Sequence, residues 1–250
     1  EEEEIKKLTA LSRGKAIRPF PILENTGHAK GNNLILQQAL KEFIPDYVLI
    51  VNPDIRIHDT KAFESILTCF NKYPAAALAG PKVLLNGSRQ QGPYLRQNPW
   101  VYGFKYLLPI FWAPFWIIRS LFIARISRPR PVWRVIGAFV FGKFSVIQEV
   151  GFLDESTFMY WEEDILSLKL KQKGYHVLYC PSVTVLHMHG KGNGMSAMLK
   201  RADIQAARRY FELSGHGKLS IKFAIFGKRF YQKYWLCIFD YLRSIINRGQ

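Results

Sequence analysis

Residues 151–175 read GFLDESTFMYWEEDILSLKLKQKGY, and this stretch decides the class of the fold. The run from Glu162 predicts a helix that ends at Gly174, and the β-rich run HVLYC (176–180) follows it. Glu162, Glu163 and Asp164 fall in the first helical turn, where free backbone N–H groups and the helix dipole favour negative charge. These acids serve either as helix caps or as functional groups.

Working outward, YVLIV (47–51) is short, apolar and β-branched, the pattern of a buried strand in a parallel sheet. Asn52-Pro53-Asp54 then lies at the carboxyl end of that strand, where open α/β sheets bind ligands. A third polar cluster, NTGHAKGNN (25–33), precedes an apolar-periodic helix through Leu34, Leu40 and Phe43. Its glycines allow close approach of backbone, and a helix N-terminus suits phosphate. Neither GxGxxG nor GxxxxGK[ST] is present. Residues 2–11 read as a helix and 19–24 as a strand after it. The alternation of strands and helices makes the class α/β, a mostly parallel sheet flanked by helices.

Five stretches, ENTGHAKGNN (24–33), YVLIVNPDI (47–55), IGAFVFGKFSVIQEVGFLDE (136–155), FMYWEED (158–164) and KQKGYHVLYCPSVTVLH (171–187), occur in this order. In them the chain resembles the family-two inverting glycosyltransferases of the GT-A fold, in a rhamnosyltransferase-like form. The resemblance covers roughly residues 19–190 and is weak between 84 and 134. It implies a GT-A domain over 1–194 and a basic, amphipathic helical extension over 195–250. The family's leading strand-helix-strand unit, which helps hold base and ribose, has no counterpart in the sequence. A chain without it is expected to bind nucleotide poorly.

The resemblance implies transfer of a sugar from a nucleotide-diphosphate donor, UDP- or dTDP-linked, to an acceptor hydroxyl with inversion. Charge on the departing diphosphate calls for Mn²⁺ or Mg²⁺ or fixed cations. Asp54 takes the last position of the family's Asp-x-Asp-like motif, with Asn52 at the first, and His187 matches the histidine after P-x-V-x-V. Asp54 and His187 are the implied metal ligands, and His189 is the fallback. The acceptor hydroxyl needs a carboxylate base. A gapless count lays the family's Glu-Asp on Glu162-Glu163, so Glu163 is the implied base and Asp164 the second choice. Shifting the register by one would rotate the later helix face by about 100°. Gly137 and Ala138 are expected to line the sugar pocket, Asn25, Gly27 and Asn33 to support the nucleotide loop, Asp154 to face the acceptor and Glu162 to contact substrate.

Composition adds a partner. Lys and Arg number 35 against 19 Asp and Glu, a net charge of +16. No nucleic-acid module is recognisable, so nucleic acid is not an expected partner. The segment WVYGFKYLLPIFWAPFWIIRSLFIARI (100–126) lacks the roughly 20 uninterrupted apolar residues of a span, and Pro109 and Pro114 interrupt it. It reads as an interfacial or re-entrant insert, with Lys105, Arg119, Arg125, Arg128 and Arg130 facing anionic headgroups. The other reading is a buried helical insert. Residues 221–248 repeat the basic-aromatic pattern. Cys69, Cys180 and Cys237 form no CxxC and read as buried free thiols of a reducing compartment, and no signal peptide is recognisable. The combined expectation is a cytoplasmic enzyme, peripheral on the inner face of the plasma membrane, that builds surface polysaccharide on a lipid-linked or glycan acceptor. A different class remains open: a non-catalytic GT-A-like binding or scaffold protein, suggested by Asn52 and by Glu163 standing where the family has Asp.

Overall fold

The computed structural model describes residues 20–188 and 195–239. In chain order these form α1 (His28–Leu40), β1 (Tyr47–Val51), β2 (Ile55–Arg56), α2 (Ala62–Lys72), β3 (Ala76–Leu85) and β4 (Arg89–Gln91). Then come α3 (Pro99–Leu107), α4 (Pro109–Ala124), β5 (Arg130–Val132), β6 (Phe139–Lys143), α5 (Phe144–Glu149), α6 (Glu162–Gln172) and β7 (His176–His187). The last helices are α7 (Ala197–Leu213) and α8 (Lys218–Phe230), and a π-helical turn, Tyr231–Trp235, continues α8. The helix expected at 2–11 lies outside the described residues. Residues 20–24 are irregular rather than extended, and Pro21 there can donate no ladder hydrogen bond.

The sheet runs β1-β6-β3-β7-β2, with β4 beside β3 and β5 beside β7. It is mixed: β3 and β7 are parallel, and every other described pair is antiparallel. The reading of a mostly parallel sheet is corrected to this extent. Strand β1 pairs with β6 alone among the described residues, and its ends Tyr47 and Val51 are exposed, so it is less buried than its composition suggests.

Side chains alternate across the strands, as a period of two requires. One face sends Ala79, Phe139, Phe141, Leu178 and Cys180 against Ile66 and Phe70 of α2. The other sends Leu78, Val140 and Val177 against Leu166 and Leu170 of α6 and Ile147 of α5. A third cluster joins Trp161, Ile165 and Leu168 to Tyr102 of α3, Tyr210 and Phe211 of α7 and Ile225 of α8. The C-terminal helices therefore share a core with α6. Helices α3 and α8 cross closely, and a Cβ on Gly227 would meet the Gly103 carbonyl oxygen at 2.4 Å. Cys69 and Cys180 are buried free thiols, whereas Cys237 is exposed, against expectation.

Helices α3 and α4 meet at a bend of 115° at Leu108. Pro109 opens α4, and Pro114 is accommodated inside it. No single described helix is long and apolar enough to cross a membrane, but this bent pair has the length and composition of a broken span or re-entrant loop.

Candidate active site

The carboxyl end of β1, the start of α6, the end of β7 and helix α3 converge on a cavity of about 690 Å³. Asn52, Gly137, Ala138, Glu162, Glu163, Asp164 and His187 all line it. Local structure explains the convergence. The Asn52 N–H donates to the Ala138 carbonyl at 3.0 Å, which joins the turn after β1 to the segment before β6. Ile55 pairs with His187 across β2 and β7, and Met188 N–H donates to the Asp54 carbonyl at 2.8 Å. Asp54 is thereby held beside His187.

His187 Nε2 lies 3.3 Å from Asp54 Oδ1, and its Nδ1 lies 2.7 Å from Gln91 Oε1. A proton on Nδ1, donated to the Gln91 oxygen, would present the Nε2 lone pair to a cation beside Asp54. An oxygen and a nitrogen at that separation fit neighbouring positions on one divalent ion with bonds of about 2.1 Å. The donor set suits Mn²⁺ or Mg²⁺, with ligands beyond these two needed from substrate or solvent. No cluster of three or more His, Cys, Asp or Glu suited to a metal occurs among the described residues.

Across the cavity, α6 starts at Glu162 after two residues in the left-handed region, Tyr160 and Trp161. Such backbone in non-glycine residues costs energy and persists where the surroundings hold it. Here Trp161 is buried and its indole N–H donates to Asp203 Oδ1 at 3.0 Å. The three acids then diverge. Asp164, 2 % exposed, receives Arg134 Nε at 2.6 Å and the Trp133 indole N–H at 3.1 Å. Burial pushes its carboxyl up to about 6 despite the opposing pull of Arg134. Glu163 keeps 22 % of its side chain exposed and receives Arg134 Nη1 at 3.1 Å. Its carboxylate lies against Gly137, where an added Cβ would come within 3.2–3.4 Å. Arg134 itself stacks on Tyr94 at 4.0 Å, and its two carboxylate partners outweigh the burial that disfavours its charge. Glu162 is 4 % exposed, and burial followed by repulsion from Glu163 pushes it up to about 8. Its Oε1 and His28 Nδ1 face each other at 3.9 Å, and neither has a hydrogen-bond partner among the described residues. A hydroxyl to one side, about 2.8 Å from each, would bridge them.

The other sequence candidates lie elsewhere. Asn25 accepts a hydrogen bond from Gly27 N–H at 3.2 Å. Gly27, at φ 83°, lets the chain pass the Phe158 carbonyl, which receives His28 N–H at 2.7 Å. These two residues support the cavity wall behind His28 and do not line it. Asn33 is buried 3 % exposed and spends its amide on the Leu153 backbone and the Glu155 carboxylate, so it clasps a loop rather than a nucleotide. Asp154 bonds Ser156 and Arg209 beside a separate, smaller depression and does not reach the main cavity. His189 lies outside the described residues. Arg134, Gln91 and His28 are central to the site and were not singled out by the sequence. The one signal for Arg134 was its place just before Ile136-Gly137-Ala138. Two cations expected to face headgroups turn inward: Lys105 lines the cavity and packs on Tyr106 and Trp116, and Arg119 stacks on Tyr94.

No family model matches the chain. It is 26% identical over 212 residues to N-acetylglucosaminyl-diphospho-decaprenol L-rhamnosyltransferase of Mycobacterium tuberculosis, a match spanning 74% of this chain and 63% of that protein. It is 24% identical over 167 residues to the low-salt glycan biosynthesis hexosyltransferase Agl10 of Haloferax volcanii, spanning 65% and 49%. The chain thus spans less than two thirds of these relatives' length. Among solved structures it is similar to GalNAc-T7 with UDP, GalNAc and Mn²⁺ (TM-score 0.56, 13% identity, 93% of this chain and 47% of that one). It is also similar to Staphylococcus aureus TarS with UDP-GlcNAc (TM-score 0.54, 10% identity, 91% and 60%). The chain thus has the fold of the GT-A glycosyltransferases, and in sequence it is similar to a rhamnosyltransferase and a hexosyltransferase.

Proposed function

We propose that the cavity transfers a sugar from a nucleotide-diphosphate donor to an acceptor hydroxyl with inversion, with Glu163 as the general base. The observation that carries this reading is the position of Glu163. It is the one acid of α6's first turn that is both solvent-accessible and set against the glycine that opens the pocket. Asp164 has its oxygens committed to Arg134 and Trp133 and serves to position them. Arg134 orients the Glu163 carboxylate, leaving a lone pair for the acceptor proton. His28 and protonated Glu162 hold a sugar hydroxyl between them. Asp54 and His187 hold the metal, and a bound Mn²⁺ or Mg²⁺ supplies positive charge to the departing diphosphate. Asn52 lies beside that pair and closes the donor end.

The similarity to a relative whose name specifies a lipid diphosphate acceptor supports a lipid-linked acceptor in surface polysaccharide synthesis. UDP accompanies GalNAc-T7 and UDP-GlcNAc accompanies TarS, which supports a nucleotide-diphosphate sugar as donor, and we read it as UDP- or dTDP-linked. The exposed apolar side chains of the α3–α4 pair support the reading of a chain attached peripherally to an anionic membrane surface. Glu163→Gln keeps size and hydrogen bonding but removes the proton acceptor. Turnover should fall by about 10²-fold or more with donor affinity nearly unchanged. An active Glu163→Gln variant together with an inactive, folded Asp164→Asn variant would move the base to Asp164. Small, equal losses in both would leave a binding or scaffold protein.

A further inference from the structure

A second cavity, of about 750 Å³, runs between α4 and the β5 edge of the sheet. Its walls are apolar: Ile118, Phe122 and Ile123 of α4 face Val132 and Val177 of the sheet. Nothing in the proposed transfer chemistry uses it. It nevertheless adjoins the active site through shared walls. Phe115 and Arg119 border both this groove and a narrow passage, and Lys105 and Trp116 border both that passage and the catalytic cavity.

The passage is cationic. Lys105 lies over the rings of Tyr106 and Trp116, at 4.6 and 5.5 Å, and Arg119 over those of Tyr94 and Trp116, at 5.5 and 5.3 Å. Arg119 also donates to the Pro93 carbonyl. Among the described ion pairs neither cation has a carboxylate partner. Aromatic faces orient both cations, and burial pushes the Lys105 ammonium below its usual value, so an anion placed beside it is favoured. The order along the path is carboxylate base, paired cations, then apolar groove. It matches one kind of molecule: a sugar, then a diphosphate, then a long hydrocarbon.

On the strength of the transferase reading above, we propose that this groove holds the hydrocarbon chain of a lipid-diphosphate-linked acceptor. Lys105 and Arg119 bind its diphosphate, and the acceptor sugar reaches Glu163. Helix α4 thus has two apolar sides with two uses. One lines the groove, and the other, through Ile110, Ile117 and Leu121, faces outward to the bilayer that delivers the lipid.

The test is binding of farnesyl diphosphate to the full chain in 0.15 M salt, followed by indole fluorescence, with farnesol and inorganic pyrophosphate as partial ligands. Farnesyl diphosphate should bind at least about tenfold more tightly than either part. Arg119→Ala should weaken it about tenfold, and Ile118→Asp, an exposed change that spares the fold, by a similar factor. Equal affinity for farnesyl diphosphate and pyrophosphate would mean that the basic surface reads charge alone, and it overturns the proposal. So does unchanged binding in both variants, or no binding by the folded wild type. Donor binding is measured on the same samples with UDP- and dTDP-sugars and Mn²⁺. Loss of lipid binding with donor binding intact defeats the groove alone. Lipid binding without any donor binding defeats the transferase reading and leaves the groove as a lipid-diphosphate site.

Discussion

Helix α6 carries three acids in its first turn and buries two of them, Glu162 and Asp164. Helix α4 carries one charge in 16 residues and buries no residue at all. Both depart from the rule that apolar groups go inside and charges outside, in opposite directions. Buried acids are tolerated in α6 because Arg134 and the Trp133 indole satisfy Asp164, and because Glu162 retains a proton. Exposed Ile110, Ile117 and Leu121 in α4 have no such compensation among the described residues, and an apolar patch of this kind marks a surface that meets something else. The active-site wall is thus completed by its own polar contacts, whereas the aromatic arm is completed from outside.

The contrast can be broken first at the metal pair. Asp54→Ala should abolish turnover, by about 10²-fold or more, and leave the melting temperature nearly unchanged because Asp54 sits in a turn at a half-exposed position. EDTA should act on the wild type in the same way. Turnover that survives either treatment removes the metal from the reading.

Next in size is the stability of the wall. Asp164→Asn leaves the buried Arg134 guanidinium with one carboxylate instead of two. The expected loss is about 3 kcal/mol, at the low end for a buried pair because Glu163 still faces the arginine. Denaturant unfolding should rank Asp164→Asn well below Glu163→Gln in stability, and turnover should rank them the other way. The same order in both measurements would mean that the two acids do one job.

The arm is tested with vesicles. The wild type should sediment with anionic liposomes and be released by high salt, and Ile117→Asp with Leu121→Asp should lower the bound fraction about tenfold or more at fixed lipid. Equal recovery in the supernatant with and without anionic lipid removes the membrane from the picture.

The smallest effect is a pH dependence. Folded Glu162 keeps its proton to about pH 8, whereas the unfolded carboxyl loses it near its ordinary value of 4.5. The folded state therefore binds the extra proton between these values, and stability falls as pH rises through that window. Glu162→Gln should gain several degrees in melting temperature over the wild type by pH 8.5 and little at pH 5. Parallel curves for the two proteins would show that the proton is not held.

Much of the wall was legible in the sequence because it is built from local signals. Asn52 and Asp54 follow a short apolar strand, the three acids open a helix, and His187 ends a strand. Each is a position in an element, which periodicity and turn residues reveal. Arg134 was not legible, because its partners lie 29 and 30 residues away and meet it only when α6 packs beside the segment leading into β6. Asn33 misled for the same reason: its partners Leu153 and Glu155 are 120 and 122 residues distant. Lys105 and Arg119 were read as surface charges from composition, but aromatic neighbours draw them inward. The parallel sheet was inferred from apolar strand composition, which does not distinguish a parallel strand from an antiparallel one flanked by helices.

The left-handed turn at Tyr160-Trp161 has a consequence for the order in which the protein becomes competent. Its anchor is the Trp161 indole on Asp203, and Asp203 is in turn paired with Lys228 at 2.7 Å. Ribosomes add about 5–20 residues per second, and N-terminal parts of a chain begin to fold while the rest is still being made. The strands and α6 are complete several seconds before Lys228 emerges. Until then Asp203, the anchor of the turn that carries Glu163, lacks its paired cation, so a nascent chain can possess the whole sheet before that turn is secured. The turn that carries the proposed base is thus secured late in synthesis, by residues far along the chain.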